Sequence, residues 1–297
     1  MRNNEIKYKL NNKEMDVHWE KINVEFPFKG YIQPSRKTGY YDMVKKVVKW
    51  SGVDARVIDF GAGPCDKTAL FSLVGMDVVA FDNLEDAWHK LNDNRQKILD
   101  FSAQVGIDYR LPNESVEFPF LTEKFDVIMA HDVLEHFHSS PRVLLNTILK
   151  CLKPNGILAI TVPNAANLRK RIHLLFGKTN YNKYEYFYWY PGSWSGHVRE
   201  YVRNDLELMN NFLGLDLLEL STYNLQLDVL PKMLRNPYKV FASFFPGIRD
   251  SWMLISRKPK TWSPKFRPNK EEHKEAFGNQ YFDYTGTDFD WEDAGIY

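Results

Sequence analysis

Val57-Ile58-Asp59-Phe60-Gly61-Ala62-Gly63 is the stretch on which the reading of this chain turns. The run from Arg56 to Phe60 is short and mostly apolar, which predicts a strand buried on both faces, as parallel strands are. Glycines at 61 and 63 predict a tight turn that lets a ligand approach the backbone. A helix expected from about Asp66 to Val74 would present free N–H groups at its start. Strand, glycine turn and helix together predict a nucleotide-type cradle. A dinucleotide fingerprint needs a third glycine where this chain has Asp66, which speaks against a pyrophosphate. Asp59 lies inside the strand; its carboxylate would repel a diphosphate and suits a ligand carrying an ammonium group.

Outward from that loop the pattern alternates. Thr38 to Trp50 has helical spacing, with Tyr40, Tyr41, Val44, Val47 and Val48 on one face and Gly52 as the stop. Asp77–Asp82 reads as a second strand, Leu84–Ala103 as a long polar helix, and Ile107–Leu111 as a third strand. Phe125–Ala130 is a fourth strand. Pro141–Leu152 is a helix with Ser140 as its N-cap, Lys153–Gly156 a turn, and Ile157–Val162 a fifth strand. Residues 53–163 therefore predict an α/β, Rossmann-like doubly wound sheet. Beyond Pro163 lie two expected insertions, 164–203 and 224–248, after the fifth and sixth strands and on the acceptor side. Between and after them come a helix from Asn204, and strands at Leu215–Leu220 and Ser251–Ser256. The first insertion is aromatic (Tyr181, Tyr184, Tyr186, Phe187, Tyr188, Trp189, Tyr190, Trp194), as a lid over an acceptor pocket or as rings buried on the sheet.

Residues 1–37 read as an N-terminal arm, 38–256 as the domain, and 257–297 as a basic and then acidic-aromatic tail. The basic stretch 257–270 is expected to be a solvated linker. A formal net charge of +1 gives no field that would gather nucleic acid. Cys65 and Cys151 match no zinc or haem spacing and read as buried, reduced thiols. Neither a signal-peptide pattern nor a membrane-length apolar run is found, so the expected setting is soluble and cytoplasmic.

Four segments in order carry a family resemblance. Val57–Gly63 resembles the first motif of class I S-adenosylmethionine-dependent methyltransferases. Phe125–His136 is similar to their fourth-strand motif, Leu152–Leu158 to the turn before their fifth strand, and Gly196–Tyr201 to the Gly-His segment before their next helix. The set resembles the branch of ubiquinone-biosynthesis O-methyltransferases and of small-molecule and glycan methyltransferases, over about residues 38–256. The resemblance implies a seven-stranded sheet with its last strand antiparallel, and S-adenosylmethionine as methyl donor. It implies Asp59, Gly61, Ala62, Gly63, Asp82, Asn83 and His131 at the cofactor, with Asp82 accepting from the ribose hydroxyls. Nicotinamide enzymes place an acid where Asp82 stands too, so Asp82 alone does not discriminate. The region Leu111–Ser115 offers no assignable contact to the adenine.

His131, Asp132, Glu135, His136 and His138 crowd the end of the fourth strand, where ligands of doubly wound sheets bind. Asp132, Glu135 and His136 have the i, i+3, i+4 spacing of one helix face. With His197 they resemble the divalent-metal set of small-RNA 2′-O-methyltransferases, which would bind an ion such as magnesium. Two other readings stay open. His136 or His197 could be the general base in O-methylation of a sugar, glycan precursor or other hydroxylated metabolite, or Glu135 and His136 could brace the turn. The alternatives for the whole chain are an RNA 2′-O-methyltransferase and a catalytically silent S-adenosylmethionine-binding partner subunit.

Overall fold

The strand Arg56–Phe60 (β1) lies at the middle of a seven-stranded sheet of order β3-β2-β1-β4-β5-β7-β6. The other strands are β2 (Asp77–Phe81), β3 (Asp108–Arg110), β4 (Phe125–His131), β5 (Leu152–Pro163), β6 (Asp216–Tyr223) and β7 (Ser251–Arg257). This computed structural model describes residues 10–112, 118–121 and 123–277. β1 to β5 run parallel, and β7 is antiparallel to both β5 and β6. The chain leaves β3 at one edge and re-enters beside β1 as β4, so a crevice opens at the carboxyl ends of β1 and β4.

Alternation along each strand splits the sheet's apolar side chains between two cores. Val57, Val78, Val127 and Met129 face one layer; Ile58, Val79, Ile128 and Ala130 face the other. The first layer holds α1 (Asn12–Glu25), α2 (Lys37–Ser51), α3 (Thr68–Leu73) and part of α4 (Asn94–Gln104). The expected arm thus supplies Met15, Trp19 and Ile22 to the main core, each worth about 1.5–3 kcal/mol when fully buried. The second layer holds α5 (Arg142–Leu149).

Several elements depart from the sequence expectation for local reasons. The helix expected from Leu84 starts only at Asn94. Asp82 Oδ1 and Asn83 Oδ1 accept the Leu84 and Glu85 N–H groups at 2.7 and 3.0 Å, and Leu84 and Asn92 take φ of 52°, so side chains compete with helical pairing. The turn Lys153–Gly156 lies inside β5 as a bulge: Leu152 pairs with Phe125 but Ile157 with Val127, with Asn155 at φ 64°. The first insertion forms α6 (Leu168–Leu175) and α7 (Tyr184–Tyr188), and its aromatics are not buried on the sheet: Tyr181, Tyr184, Tyr186 and Trp189 are exposed. The next helix, α8 (Arg203–Phe212), is capped at Val202 rather than Asn204, because Asp205 Oδ2 takes the Val202 N–H at 3.1 Å. The second insertion forms α9 (Lys232–Phe244).

The basic stretch is not a solvated linker at its start. Lys258 is buried and its Nζ donates to the Leu149 and Leu152 carbonyls at 2.6 and 2.7 Å. Trp262 Nε1 donates to Leu213 O, and a last helix, α10 (Lys270–Phe277), follows. The acidic-aromatic part of the tail, 279–297, lies outside the described residues, as does the start of the arm. Both cysteines are buried and free. No helix among the described residues is long and apolar enough to cross a membrane.

Asn164 ties the two insertions together where they leave the sheet. Its Nδ2 donates to the Gly247 and Arg249 carbonyls at 3.0 and 2.7 Å, and its Oδ1 accepts the Ala166 N–H at 2.9 Å. The side chain is fully buried, so its loss strands these groups away from water. Asn164→Ala is expected to lower stability by about 2–4 kcal/mol in urea unfolding, at about 1–3 kcal/mol per unpaired group. A loss below about 0.5 kcal/mol would mean that the insertions are held elsewhere.

Candidate active site

β1 ends in a turn that has no room for a side chain at Gly61. Gly61 and Ala62 donate their N–H groups to Phe81 O at 2.8 and 3.1 Å, folding the loop back onto β2. Gly61 has φ 75°, and a Cβ there would lie 2.5 Å from Val133 Cγ2. Gly63, at φ 50°, donates its N–H to Asp82 Oδ2 at 2.9 Å, and its carbonyl accepts from Tyr109 Oη at 2.7 Å. Asp82 therefore braces the glycine loop with one oxygen and the loop after β2 with the other. Asn83 beside it is exposed at the rim of the same cleft.

Charge is concentrated under this loop. Asp59 is buried; Thr68 Oγ1 donates to its Oδ2 at 2.6 Å, and its Oδ1 has no partner. Burial pushes the Asp59 carboxyl up to about 7, against the pull of Thr68 and Lys67. Asp66, where a dinucleotide fold would have glycine, accepts a hydrogen bond from Tyr40 Oη. Lys67 reaches across the crevice to Asp132 Oδ2 at 3.0 Å. Burial works to raise the Asp132 carboxyl, but the Lys67 ammonium and the Thr161 hydroxyl hold it below its usual range. His131 stacks on Phe71, rings 5.7 Å apart and 15° from parallel. Burial and then Lys67 hold His131 down to about 3, so it is neutral at pH 7.

The facing wall is built on a single 3-10 turn, Leu134–His136. Val198 and Arg199 N–H groups donate to the Glu135 carbonyl at 2.6 and 3.2 Å, which brings the Gly196–Tyr201 segment against that turn. His136 and His197 meet edge to face, 5.1 Å between centroids. His136 Nδ1 lies 2.8 Å from Ser195 O; a carbonyl only accepts, so this nitrogen is assigned the proton and Nε2 the lone pair. His197 Nδ1 likewise donates to Glu200 Oε1 at 2.9 Å, and Glu200 is ion-paired with the buried Lys170. Both Nε2 atoms lie 4.0 Å from Glu135 Oε1. Glu135 is fully buried with no hydrogen-bond partner on either oxygen; burial, then the Asp132 charge, raises its carboxyl well above the usual range. Burial, His136 and Lys170 push His197 down to about 4. Burial and Arg169 push Lys170 down to about 8.

The four-ligand set expected from the sequence is reduced to three. Glu135, His136 and His197 offer ligand atoms that all lie within 4.8 Å of one another. Asp132 does not join them, because it has φ 57° and turns to Lys67 and Thr161 instead of continuing a helix. Two imidazoles and one carboxylate, with Glu200 orienting one ring from behind, are a donor set that could hold a divalent ion. His138 lies in the adjoining loop.

A cleft of about 1230 Å³ runs from Asp59, the glycine loop and Asp82 to Asp132, His136 and Trp194. A second cavity of about 810 Å³, lined by Tyr181, His197 and Glu200, shares the Phe137–Ser140 wall with it. The histidine pair thus stands between the two. Sequence reasoning passed over Lys67, Lys170 and Tyr109, which carry no spacing signal, and Glu200, whose i+3 spacing from His197 was the available one. It also passed over His89, a buried ring on the cleft wall with both nitrogens unpartnered.

A family model described as a methyltransferase domain matches residues 33–220. Among solved structures, the chain is similar to a SAM-dependent methyltransferase from Archaeoglobus fulgidus, at 15% identity and a TM-score of 0.47, covering 75% of this chain and 94% of that one. It is similar to the N-methyltransferase NodS from Bradyrhizobium japonicum in complex with S-adenosyl-L-homocysteine, at 12% identity and a TM-score of 0.47, covering 83% and 99%. It is also similar to the magnesium protoporphyrin IX methyltransferase from Synechocystis with the same bound product, at 13% identity and a TM-score of 0.47, covering 82% and 99%. A search among curated proteins found no match.

The Lys170–Glu200–His197 chain can be read directly. In NMR titration the His197 ring is expected to protonate near pH 4, well below free histidine. Lys170→Met removes one of the depressing charges and should move the midpoint up. A wild-type midpoint above about 6 would contradict the arrangement.

Proposed function

The chain belongs to the methyltransferase-domain family, and on that premise we propose that it methylates a hydroxyl oxygen of a small acceptor, with S-adenosylmethionine as donor. One observation carries the reading. A glycine cradle over a buried carboxylate with one free oxygen forms one wall of the cleft, and across it stand His136 and, at the adjoining cavity, His197, each with Nδ1 fixed and Nε2 unbonded. When bound, S-adenosylmethionine supplies a methyl group already activated by its sulfonium, so the protein has to align the reactants and take up a proton.

The residues fit that ligand. Asp59 Oδ1 is a free acceptor for an α-ammonium. Each Asp82 oxygen takes one backbone N–H, and a carboxylate's remaining lone pairs can accept from two ribose hydroxyls. Gly61, Ala62 and Gly63 let the donor lie against bare backbone, and His131 stays neutral beside it. On the far wall, His197, kept unprotonated by its surroundings and aimed by the Nδ1–Glu200 hydrogen bond, accepts the hydroxyl proton at Nε2. His136, fixed by Ser195 O, either shares this task or orients the hydroxyl.

Convergence of Glu135, His136 and His197 favours a second reading of the same wall: a divalent ion on these three residues lowers the hydroxyl's pKa instead. Aromatic groups at the two cavities, Tyr181 and Trp194, suit a sugar, glycan precursor or other hydroxylated metabolite. An RNA acceptor is the weaker reading. The net charge is +1, and the basic stretch is partly used up inside the fold, with Lys258 buried against carbonyls.

A screen of candidate acceptors for products heavier by one methyl identifies the substrate. On that substrate, His197→Ala and His136→Ala are each expected to cut turnover by about a hundredfold or more. Full turnover by both variants would overturn the site. EDTA separates the two readings: activity lost and restored by a divalent ion supports the metal, and unchanged activity removes it.

A further inference from the structure

The two insertions expose apolar side chains that nothing among the described residues covers. In α9, Met233, Val240, Phe241 and Phe244 recur at helical spacing and are all exposed, Met233 at 82% and Phe244 at 74%. The opposite face, with Tyr238 half-buried and Ala242 fully buried, rests on the protein, so the apolar stripe points away from it. At the end of α6, Leu175 and Phe176 are 83% and 76% exposed, and Trp189 after α7 is 78% exposed. Soluble proteins seldom leave so many large apolar groups bare in two neighbouring segments without a use.

Charge says what kind of surface covers them. Residues 164–184 carry Arg169, Lys170, Arg171, Lys178 and Lys183 with no acid, and 229–245 carry Lys232, Arg235 and Lys239 with no acid. The whole chain is nearly neutral, so these two segments, like the stretch 257–270, are basic well beyond its average. Lys178, Lys183, Lys232 and Lys239 are exposed and form no ion pair among the described residues. Asn164 joins both segments just past the carboxyl end of β5, beside the start of β7. Lys/Arg beside exposed Phe, Leu, Trp and Tyr is the composition of a helix that lies in a bilayer interface, with apolar groups among the acyl chains and cations at the headgroups.

We propose that the surface formed by α6, α7 and α9 docks on an anionic phospholipid membrane. This goes beyond the methyl-transfer reading and does not depend on it. Leu174 and Tyr181, from the same insertion, line the cavity that holds His197, so the docking surface and the acceptor side of the site are built from one segment.

The test is vesicle flotation of the full chain with phosphatidylcholine alone and with about one third phosphatidylglycerol. The wild type is expected to float with the anionic vesicles and to release at high salt. Leu175→Asp with Phe176→Asp, or Phe244→Asp with Phe245→Asp, should each reduce flotation at least about tenfold. Lys232→Gln with Lys239→Gln should weaken it at low salt only. Thermal unfolding checks that the variants fold, and milder Phe176→Ser and Phe244→Ser versions replace any that do not. Absence of flotation, or variants that float like wild type, would overturn the proposal. So would a dimer in light scattering that the same variants dissociate, since a second copy would then be the occupant. Calorimetry with S-adenosylhomocysteine reads the cleft independently, so failure here leaves the methyl-transfer reading standing, and the converse.

Discussion

The approach of Val133 to Gly61 is the constraint on which the site depends. A methyl group at position 61 would sit 2.5 Å from Val133 Cγ2, inside any tolerable contact. Because hydrogen replaces it, the loops after β1 and β4 lie against each other, and everything useful follows from that closeness. The glycine loop turns back to β2 and is pinned by Asp82, while the turn after Val133 presents Glu135 and His136 across a narrow crevice. A bulkier residue would part the two walls and move Glu135 and His136 away from the glycine loop.

Buried charge organises the rest. Lys67 and Asp132 cross the crevice as a pair, so Asp132 is spent on structure and on neutralising an ammonium. Asp59 and Glu135 are left as buried carboxyls without enough partners, one on each wall. Such groups are costly and persist where a ligand or a proton completes them. On the facing wall, Lys170 and Glu200 do for His197 what Ser195 does for His136: each fixes Nδ1 and leaves Nε2 near Glu135.

Much of the fold was legible because parallel strands buried on both faces read as apolar runs, and Val57–Phe60 and Val127–Ala130 are such runs. The glycine loop and the strand carboxylate were legible from residue type alone. The segment after Asp82 was not, since its polar side chains bind their own backbone and delay the helix by ten residues, from Leu84 to Asn94. α1 was read only as part of an arm because its burial depends on α3, a partner no local pattern reveals. Lys67 and Lys170 were missed because their partners, Asp132 and Glu200, are distant in sequence, and Glu200, three residues from His197, was missed because its role depends on Lys170. The aromatic run was visible but its fate was not, as composition does not distinguish a lid from an outward-facing surface.

The most direct measurement is calorimetry of S-adenosylhomocysteine binding to wild type and Asp59→Asn between about pH 5.5 and 7.5. The free Asp59 carboxyl titrates near 7, and the ligand's ammonium favours its ionised form, so binding must expel the proton wherever Asp59 holds one. Wild-type affinity should therefore weaken by about tenfold or more as pH falls through this range. Asp59→Asn should bind weakly and with no pH dependence over it. Wild-type binding that is pH-independent, or absent while NAD binds, would contradict the account.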